Sequence, residues 1–273
     1  MTIRQQHRIT FIGGGNMAAA LINGLVGRFT PAAYINVIDV NPQTLQQLSQ
    51  QFGVTVDCSV ANAVADCDIL ILAVKPQQMT PVLQDVAALL QHQLVISIAA
   101  GIRTAELSAG LLGYTAIVRA MPNMPALIGR GMTGMFAMPG ASAEQQLHAD
   151  TIMGSVGKTL WLKAEQSLDA VTGVSGSGPA FVFYFIEALQ QAALEVGLNA
   201  TESKLLALET VAGAAQLALQ SDDEVALLRE RVTSKGGTTF AGLNRLQQDD
   251  FCAVIVRAVK AATNRSKELG DAS

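Results

Sequence analysis

Ile9-Thr10-Phe11-Ile12 runs straight into Gly13-Gly14-Gly15-Asn16-Met17-Ala18, and a second apolar run ends in Asp39. The glycine spacing is GxGxxA. Glycines so placed permit a tight turn and bring the backbone close to a pyrophosphate, which then rests on the following helix N-terminus. There, unpaired N–H groups and the dipole favour an anion. Asp39, 21 residues past Ala18, can accept hydrogen bonds from an adenosine ribose diol and repels a 2′-phosphate, while Val40 and Asn41 supply no cation. The residues therefore point to a dinucleotide and lean toward NAD(H), although Asn41 can also donate to a phosphate. A plain glycine turn would use the same residues, but the strand–turn–helix context favours the cofactor.

Two further loops close apolar runs: Ala73-Val74-Lys75-Pro76 and Ser97-Ile98-Ala99-Ala100-Gly101. In an open α/β sheet the ligand crevice lies beyond the carboxyl ends of the strands, so both should face the cofactor. Ordinary strand punctuation, with Lys75 solvated, would read the same way. Val232-Thr233-Ser234-Lys235-Gly236-Gly237-Thr238-Thr239 precedes the periodic stretch Phe240–Leu246. Its peptide N–H groups and hydroxyls at a positive dipole end suit a carboxylate, and a simply capped helix fits equally well. Gly173-Val174-Ser175-Gly176-Ser177-Gly178-Pro179-Ala180 opens a long helix. β-Hydroxyacid dehydrogenases carry a similar glycine stretch with a catalytic lysine four residues past its last glycine; here that position is Val182.

The elements that must hold these residues change character midway. Up to about Trp161, the runs Ile9–Ile12, Tyr34–Asp39, Ile69–Val74, Leu94–Ala99, Ala116–Ala120, Met132–Ala137 and Thr159–Leu162 read as strands. Amphipathic segments such as Thr44–Phe52 and Pro81–Leu90 lie between them. That alternation predicts an α/β domain with a parallel sheet covered on both faces. After Glu165 only long Ala- and Leu-rich helices are expected: Phe181–Val196, Glu202–Gln220, Glu224–Arg231 and Phe251–Leu269. The predicted division is therefore a Rossmann-type dinucleotide-binding domain over 1–162 and an all-α substrate and dimerisation domain over 163–273. Several of these helices are apolar around most of their circumference, so a second copy is expected to cover them.

Composition narrows the classes. The chain has 273 residues, half of them hydrophobic and only 15% charged, with a mean hydropathy of +0.33; intrinsic disorder is excluded. The uncharged stretch Ile9–Gly27 behind Arg4 and Arg8 imitates a membrane anchor, but Gly13, Gly14, Gly15, Asn16, Asn23 and Gly24 interrupt it. No membrane segment is expected, and without an export signal the cytoplasm is the expected compartment. A net charge of −4 offers no basic face for nucleic acid. Cys58, Cys67 and Cys252 have neither disulfide nor metal-site spacing.

Seven collinear stretches, spanning nearly the whole chain, resemble the pyrroline-5-carboxylate reductases: Phe11–Met17, Ala73–Pro76, Ser97–Gly101, Arg119–Asn123, Asp169–Thr172, Ser175–Ala180 and Thr233–Thr239. The resemblance implies an enzyme that transfers a hydride from NAD(P)H to the C=N carbon of L-1-pyrroline-5-carboxylate, giving L-proline. It implies cofactor contacts at Asn16, Met17, Asn41, Val74, Lys75 and Ala100, with Gly13, Gly15, Asp39, Pro76 and Ala99 in the same loops. Ser234, Gly236, Gly237 and Thr238 look like the substrate loop. Thr239 takes the position whose hydroxyl meets the ring nitrogen, and Asp222 a position where the family can place an acid. NADP(H) is the family's usual dinucleotide; Asp39 keeps NAD(H) open. Self-association as a homodimer follows, with a ring of dimers as a larger alternative.

Lys235 stands where the family loop usually has proline. The lack of a convincing His or Lys acid fits this chemistry. A carbonyl reductase must protonate an alkoxide, whereas an imine nitrogen can arrive protonated and needs only placement and a hydrogen bond. A reductase of another cyclic imine or of a β-hydroxyacid-type substrate, and a non-catalytic dinucleotide sensor, are the competing readings. The first should show a catalytic Lys or His; the second would not need the Gly236–Thr239 loop.

Overall fold

The computed structural model describes residues 7–57 and 59–271; Arg4 and Cys58 lie outside them. Eight strands form one sheet in the order β3-β2-β1-β4-β5-β6-β7-β8. They are β1 (Ile9–Ile12), β2 (Ile35–Ile38), β3 (Thr55–Asp57), β4 (Ile69–Leu72), β5 (Leu94–Ser97), β6 (Ile117–Met121), β7 (Gly131–Ala137) and β8 (Gly157–Trp161). The first six have the 3-2-1-4-5-6 order of a dinucleotide-binding sheet.

Helices α1 (Asn16–Leu25), α2 (Pro42–Phe52), α3 (Val60–Ala65), α4 (Met79–Ala87), α5 (Thr104–Gly110) and α6 (Ala143–Gly154) cover it. Strand side chains alternate between two cores. Ile9, Phe11, Ile69 and Ile71 pack with Leu21 of α1, Leu48 of α2 and Ile152 of α6. Ile12, Leu70 and Leu72 pack with Val64 of α3, Leu83 of α4 and Leu107 of α5. Burial on both faces is why these strands are almost wholly apolar, with Thr10 of β1 donating its hydroxyl to the Ala63 carbonyl at 2.8 Å.

The α/β class expected from sequence is the observed one, with two local differences. Strand β7 runs antiparallel to β6, and β8 runs parallel to β7. Only residues 122–130 join β6 to β7, too few for the crossover that a parallel pairing requires. The edge strand β3 is three residues long and partly exposed, which leaves it without an apolar signature.

The chain divides into two compact units: residues 1–176 with 262–273, and residues 177–261. The predicted 162/163 boundary marks the end of the last strand, whereas the compact division falls later in sequence. α7 (Ser167–Val171) and the π-helical turn Thr172–Gly176 go with the sheet. Leu168 and Asp169 of α7 are buried. The second unit holds α8 (Gly178–Glu195), α9 (Ala200–Gln220), α10 (Val225–Arg231), α11 (Thr238–Gln248) and the first half of α12 (Phe251–Asp271). Within the single chain α8, α10 and α11 bury no residue, and α9 buries only Ser203 and Ala207. Phe183, Tyr184, Leu206 and Leu219 are exposed. No helix among the described residues is long and apolar enough to cross a membrane.

Candidate active site

Strand β1 feeds a turn whose first glycine, Gly13, has φ +101°, a conformation that strains any residue with a Cβ. Space is lacking too: a Cβ there would stand 2.5 Å from the Ala73 carbonyl oxygen. The Gly13 N–H donates to the Ile38 carbonyl at 2.8 Å. Asp39, just past β2, accepts from the Gly14 N–H at 2.7 Å through Oδ2 and from the Asn41 N–H at 2.8 Å through Oδ1. Its carboxylate thus fastens the glycine turn to the start of α2, and each oxygen keeps a lone pair for a ligand diol.

Gly15 is the N-cap of α1. The place a Cβ would occupy there is open, with nothing within 4 Å. No side chain caps α1 and its first turn holds no acid, so its leading N–H groups are available to an anion. Asn41 caps α2, its Oδ1 accepting from the Gln43 N–H at 3.0 Å. The residues present therefore fit a dinucleotide pyrophosphate and ribose.

Gly13, Gly15, Asp39, Val74 and Lys75 line one cavity of about 380 Å³. Gln78, at the end of the 3-10 turn Pro76–Gln78, and Asp85 of α4 line it as well and were not singled out from the sequence; no local spacing announces them. Asn16 and Met17 begin α1, Asn16 exposed and Met17 half-buried against the core. Pro76 opens the short 3-10 turn Pro76–Gln78. Ala99 and Ala100 do not line this cavity. Ala99 is 4% exposed and its methyl belongs to the core on the α3–α5 face, so any contact it makes with a cofactor has to come from its backbone.

In the second unit, Ser234, Lys235, Gly236 and Gly237 lead into α11. Gly236 has φ +73°, and the Gly237 N–H donates to the Ser234 carbonyl at 3.0 Å, closing a turn. Gly237 is the N-cap with no side-chain cap, and α11 begins at Thr238 without an acid in its first turn. Thr238 and Thr239 are exposed. A helix N-terminus with free peptide donors and two hydroxyls is suited to a small carboxylate. Asp222 is exposed; its neighbour Asp223 is the acid that organises the turn, accepting from the hydroxyl of Ser221 at the end of α9 and pairing with Arg231.

Two sequence stretches turn out to be joints. Asn123 donates from Nδ2 to the Ser175 carbonyl at 3.0 Å and accepts the Met132 N–H at 2.8 Å, tying the turn after β6 to β7 and the π-helical turn. Arg119 of β6, 3% exposed, donates to Glu165 at 2.8 Å. Glu165 went unnoticed in the sequence because its partners are 46 and 61 residues away.

The glycine turn after β1, the acid after β2 and the crevice between them define a Rossmann-type dinucleotide-binding protein. Comparison with known proteins makes this specific. A family profile described as pyrroline-5-carboxylate reductase dimerisation matches residues 165–269, and one described as NADP oxidoreductase coenzyme F420-dependent matches residues 8–101. The chain is 45% identical to the pyrroline-5-carboxylate reductase of Pseudomonas aeruginosa over 97% of each chain. With that of Pasteurella multocida it shares 40% identity over 97% of this chain and 98% of the other. Among solved structures, a pyrroline-5-carboxylate reductase from Coxiella burnetii superposes with a TM-score of 0.92 at 37% identity, covering 97% of this chain and 99% of that one. The NADP-bound pyrroline carboxylate reductase of Plasmodium falciparum superposes with a TM-score of 0.86 at 29% identity, covering 97% and 98%. The chain belongs to the pyrroline-5-carboxylate reductase family, whose members are oxidoreductases.

Proposed function

We propose that the protein reduces L-1-pyrroline-5-carboxylate to L-proline with NAD(P)H, the last step of proline synthesis. The observation that carries this reading is the full-length match to named reductases at up to 45% identity, joined to a glycine turn and an anion-ready helix start of the expected kinds. When bound, the reduced nicotinamide supplies the hydride that adds to the C=N carbon, while the ring nitrogen gains or keeps one proton.

This chain's residues supply position and charge. Gly13 and Gly15 admit the pyrophosphate to the N-terminus of α1, with Asn16 and Met17 in its first turn. Asp39 and Asn41 meet the adenosine ribose, and Val74, Lys75 and Pro76 with Ala99 and Ala100 border the cofactor along the strand ends. Gly236, Gly237 and Thr238 offer peptide N–H groups to the substrate carboxylate, beside the Ser234 hydroxyl. The Thr239 hydroxyl hydrogen-bonds the ring nitrogen, fixing the face that receives the hydride. Asp222 takes the position where the family can place an acid near the substrate, and there it would steady an iminium charge. NADP(H), held by the Plasmodium falciparum relative, is the dinucleotide of this reading, with NAD(H) the competitor that Asp39 favours.

The exposed apolar side chains of α8, α9 and α11 and the match to a dimerisation profile support self-association as a homodimer. A ring of such dimers, in the cytoplasm, completes the proposal; light scattering on the purified protein distinguishes dimer from ring.

The test is NADPH and NADH oxidation with pyrroline-5-carboxylate, repeated for Thr239→Ala. Turnover should fall about 10- to 100-fold, as expected when a positioning hydrogen bond is lost from the transition state, with cofactor affinity retained. Unchanged turnover removes Thr239 from the mechanism, and no oxidation by the wild-type protein defeats the reading.

A further inference from the structure

The loop between β5 and α5, residues 98–103, is gripped from outside by two acids four residues apart. Glu165 takes the start of α5: its Oε1 accepts the Thr104 N–H at 2.7 Å and its Oε2 accepts the Thr104 hydroxyl at 2.7 Å. Arg103 is the N-cap of that helix and its side chain caps nothing, so the acceptor that α5 needs comes from a residue 61 positions away. The same Oε1 accepts from Arg119 Nη1 at 2.8 Å, giving a guanidinium with 4% of its side chain exposed the counter-charge that burial demands. Glu106, also in the first turn of α5, is pushed to a higher pKa by burial and does not take that place.

Asp169 holds the other end. It is 1% exposed; Oδ2 stands 2.9 Å from Arg103 Nη1 and Oδ1 accepts the Ser266 hydroxyl at 2.7 Å. Burial opposes charge on Arg103, and the Asp169 carboxylate outweighs it, so its pKa is raised. The last turns of α12 close against the loop. A Cβ on Gly270 would lie 2.6 Å from Arg103 Nε, and one on Gly101 would lie 3.2 Å from Leu269 Cβ.

A loop at a strand end is ordinarily among the more mobile parts of a domain, and here Ala99 and Ile102 already tuck into the core. This one carries Ala99 and Ala100 at the carboxyl end of β5, beside β4, whose own end carries Val74 and Lys75 into the cofactor cavity. A buried acid and a largely shielded one are a large expense for a loop with no task. We propose that Glu165 and Asp169 are positioning residues for hydride transfer: acting through Thr104 and Arg103, they fix the Ala99–Arg103 backbone against which the nicotinamide end of the dinucleotide is set. The inference rests on the reductase reading above. The acids touch neither cofactor nor substrate; they set the loop that does.

The experiment compares wild type with Thr104→Val, Glu165→Gln and Asp169→Asn in the assembled enzyme. It measures kcat and KM, the primary isotope effect with cofactor deuterated at the transferring position, and the inhibition constant of 2′,5′-ADP, a probe of the adenosine end alone. Misplacement of the reacting ring by a fraction of an ångström should lower kcat about tenfold or more and raise the isotope effect. The inhibition constant of 2′,5′-ADP should stay within about twofold, because that fragment does not reach the loop. Glu165→Asp, too short to span both Thr104 atoms, should not rescue.

Thr104→Val removes one hydrogen bond without uncovering a charge, so it tests the idea even if the charge-neutralising variants fail to fold. Wild-type kcat and isotope effect in Thr104→Val would overturn the proposal, as would weakening of 2′,5′-ADP in parallel with kcat, which is what general loosening of the sheet would produce. Absence of turnover in the wild type would instead defeat the reductase reading.

Discussion

Asp39 Oδ2 accepts the Gly14 peptide N–H at 2.7 Å, so the acid at the end of β2 both shapes the glycine turn and charges the cavity where an adenosine ribose would lie. These two duties separate on substitution. Asp39→Asn keeps an acceptor for the turn and removes the charge. The ratio of kcat/KM for NADPH to that for NADH should rise about tenfold, roughly 1.4 kcal/mol of relieved repulsion with a 2′-phosphate. Steady-state rates with both dinucleotides measure it, and an unmoved ratio means that the charge does not select the cofactor.

Gly13 leaves no freedom at its Cα. Gly13→Ala must accept φ +101° and a contact of 2.5 Å with the Ala73 carbonyl. A left-handed conformation alone costs a side-chain-bearing residue about 1–2 kcal/mol. Either the turn opens or β4 shifts, and both spoil the pyrophosphate seat. Fluorescence titration with NADPH should show affinity reduced at least about tenfold, along with a lower Tm.

Burial, and then the charge of His7 beside it, hold the His148 imidazole below the usual histidine pKa, against the opposing pull of Glu144 and Asp68. The two rings stand 4.1 Å apart. With the folded value depressed, the unfolded chain binds more protons as pH drops below about 6.5. Stability is therefore full above that pH and declines beneath it. His148→Asn should reduce the loss of Tm between pH 7.5 and pH 5.5; an equal loss in both proteins would place the acid sensitivity elsewhere.

Burial pushes the Cys67 thiol up to about 12, with Thr10 pulling the other way and Asp68 adding a little more. Its Sγ lies 3.3 Å from the Val64 carbonyl. A thiol so protonated and enclosed is a poor nucleophile. Peptide mapping after iodoacetamide treatment at pH 8 should find Cys67 unmodified in the native protein and alkylated in denaturant. Native modification would mean that the cluster around Val64 and Leu70 opens readily.

Much of this architecture is written locally. Ile9–Ile12, Ile69–Leu72 and Leu94–Ser97 are almost wholly apolar, with Thr10 and Ser97 the exceptions, because both faces of the sheet are covered, and a glycine turn beside the first of them needs no distant partner to be read. Direction and bracing are different. The reversal of β7 follows from the length of residues 122–130, which matters only once the strands on either side are paired. Thr55–Asp57 is a strand because β2 offers it an edge, not because its residues demand one. Glu165 lies in the turn before α7 and Asp169 within it. Their partners Thr104, Arg119, Arg103 and Ser266 are set beside them only by tertiary structure. Gln78 and Asp85 reach the cofactor cavity for the same reason.

Because Ser266, Leu269 and Gly270 belong to the same compact unit as the sheet, that unit is discontinuous in sequence and lacks its closing piece until the helices of the other unit have been synthesised. A ribosome-bound chain can assemble the parallel sheet early, as N-terminal domains commonly do. The brace on residues 98–103 nevertheless arrives only after the helices that precede it have been made. Removal of residues 266–271 would therefore be felt in the unit that holds the sheet, far earlier in the chain.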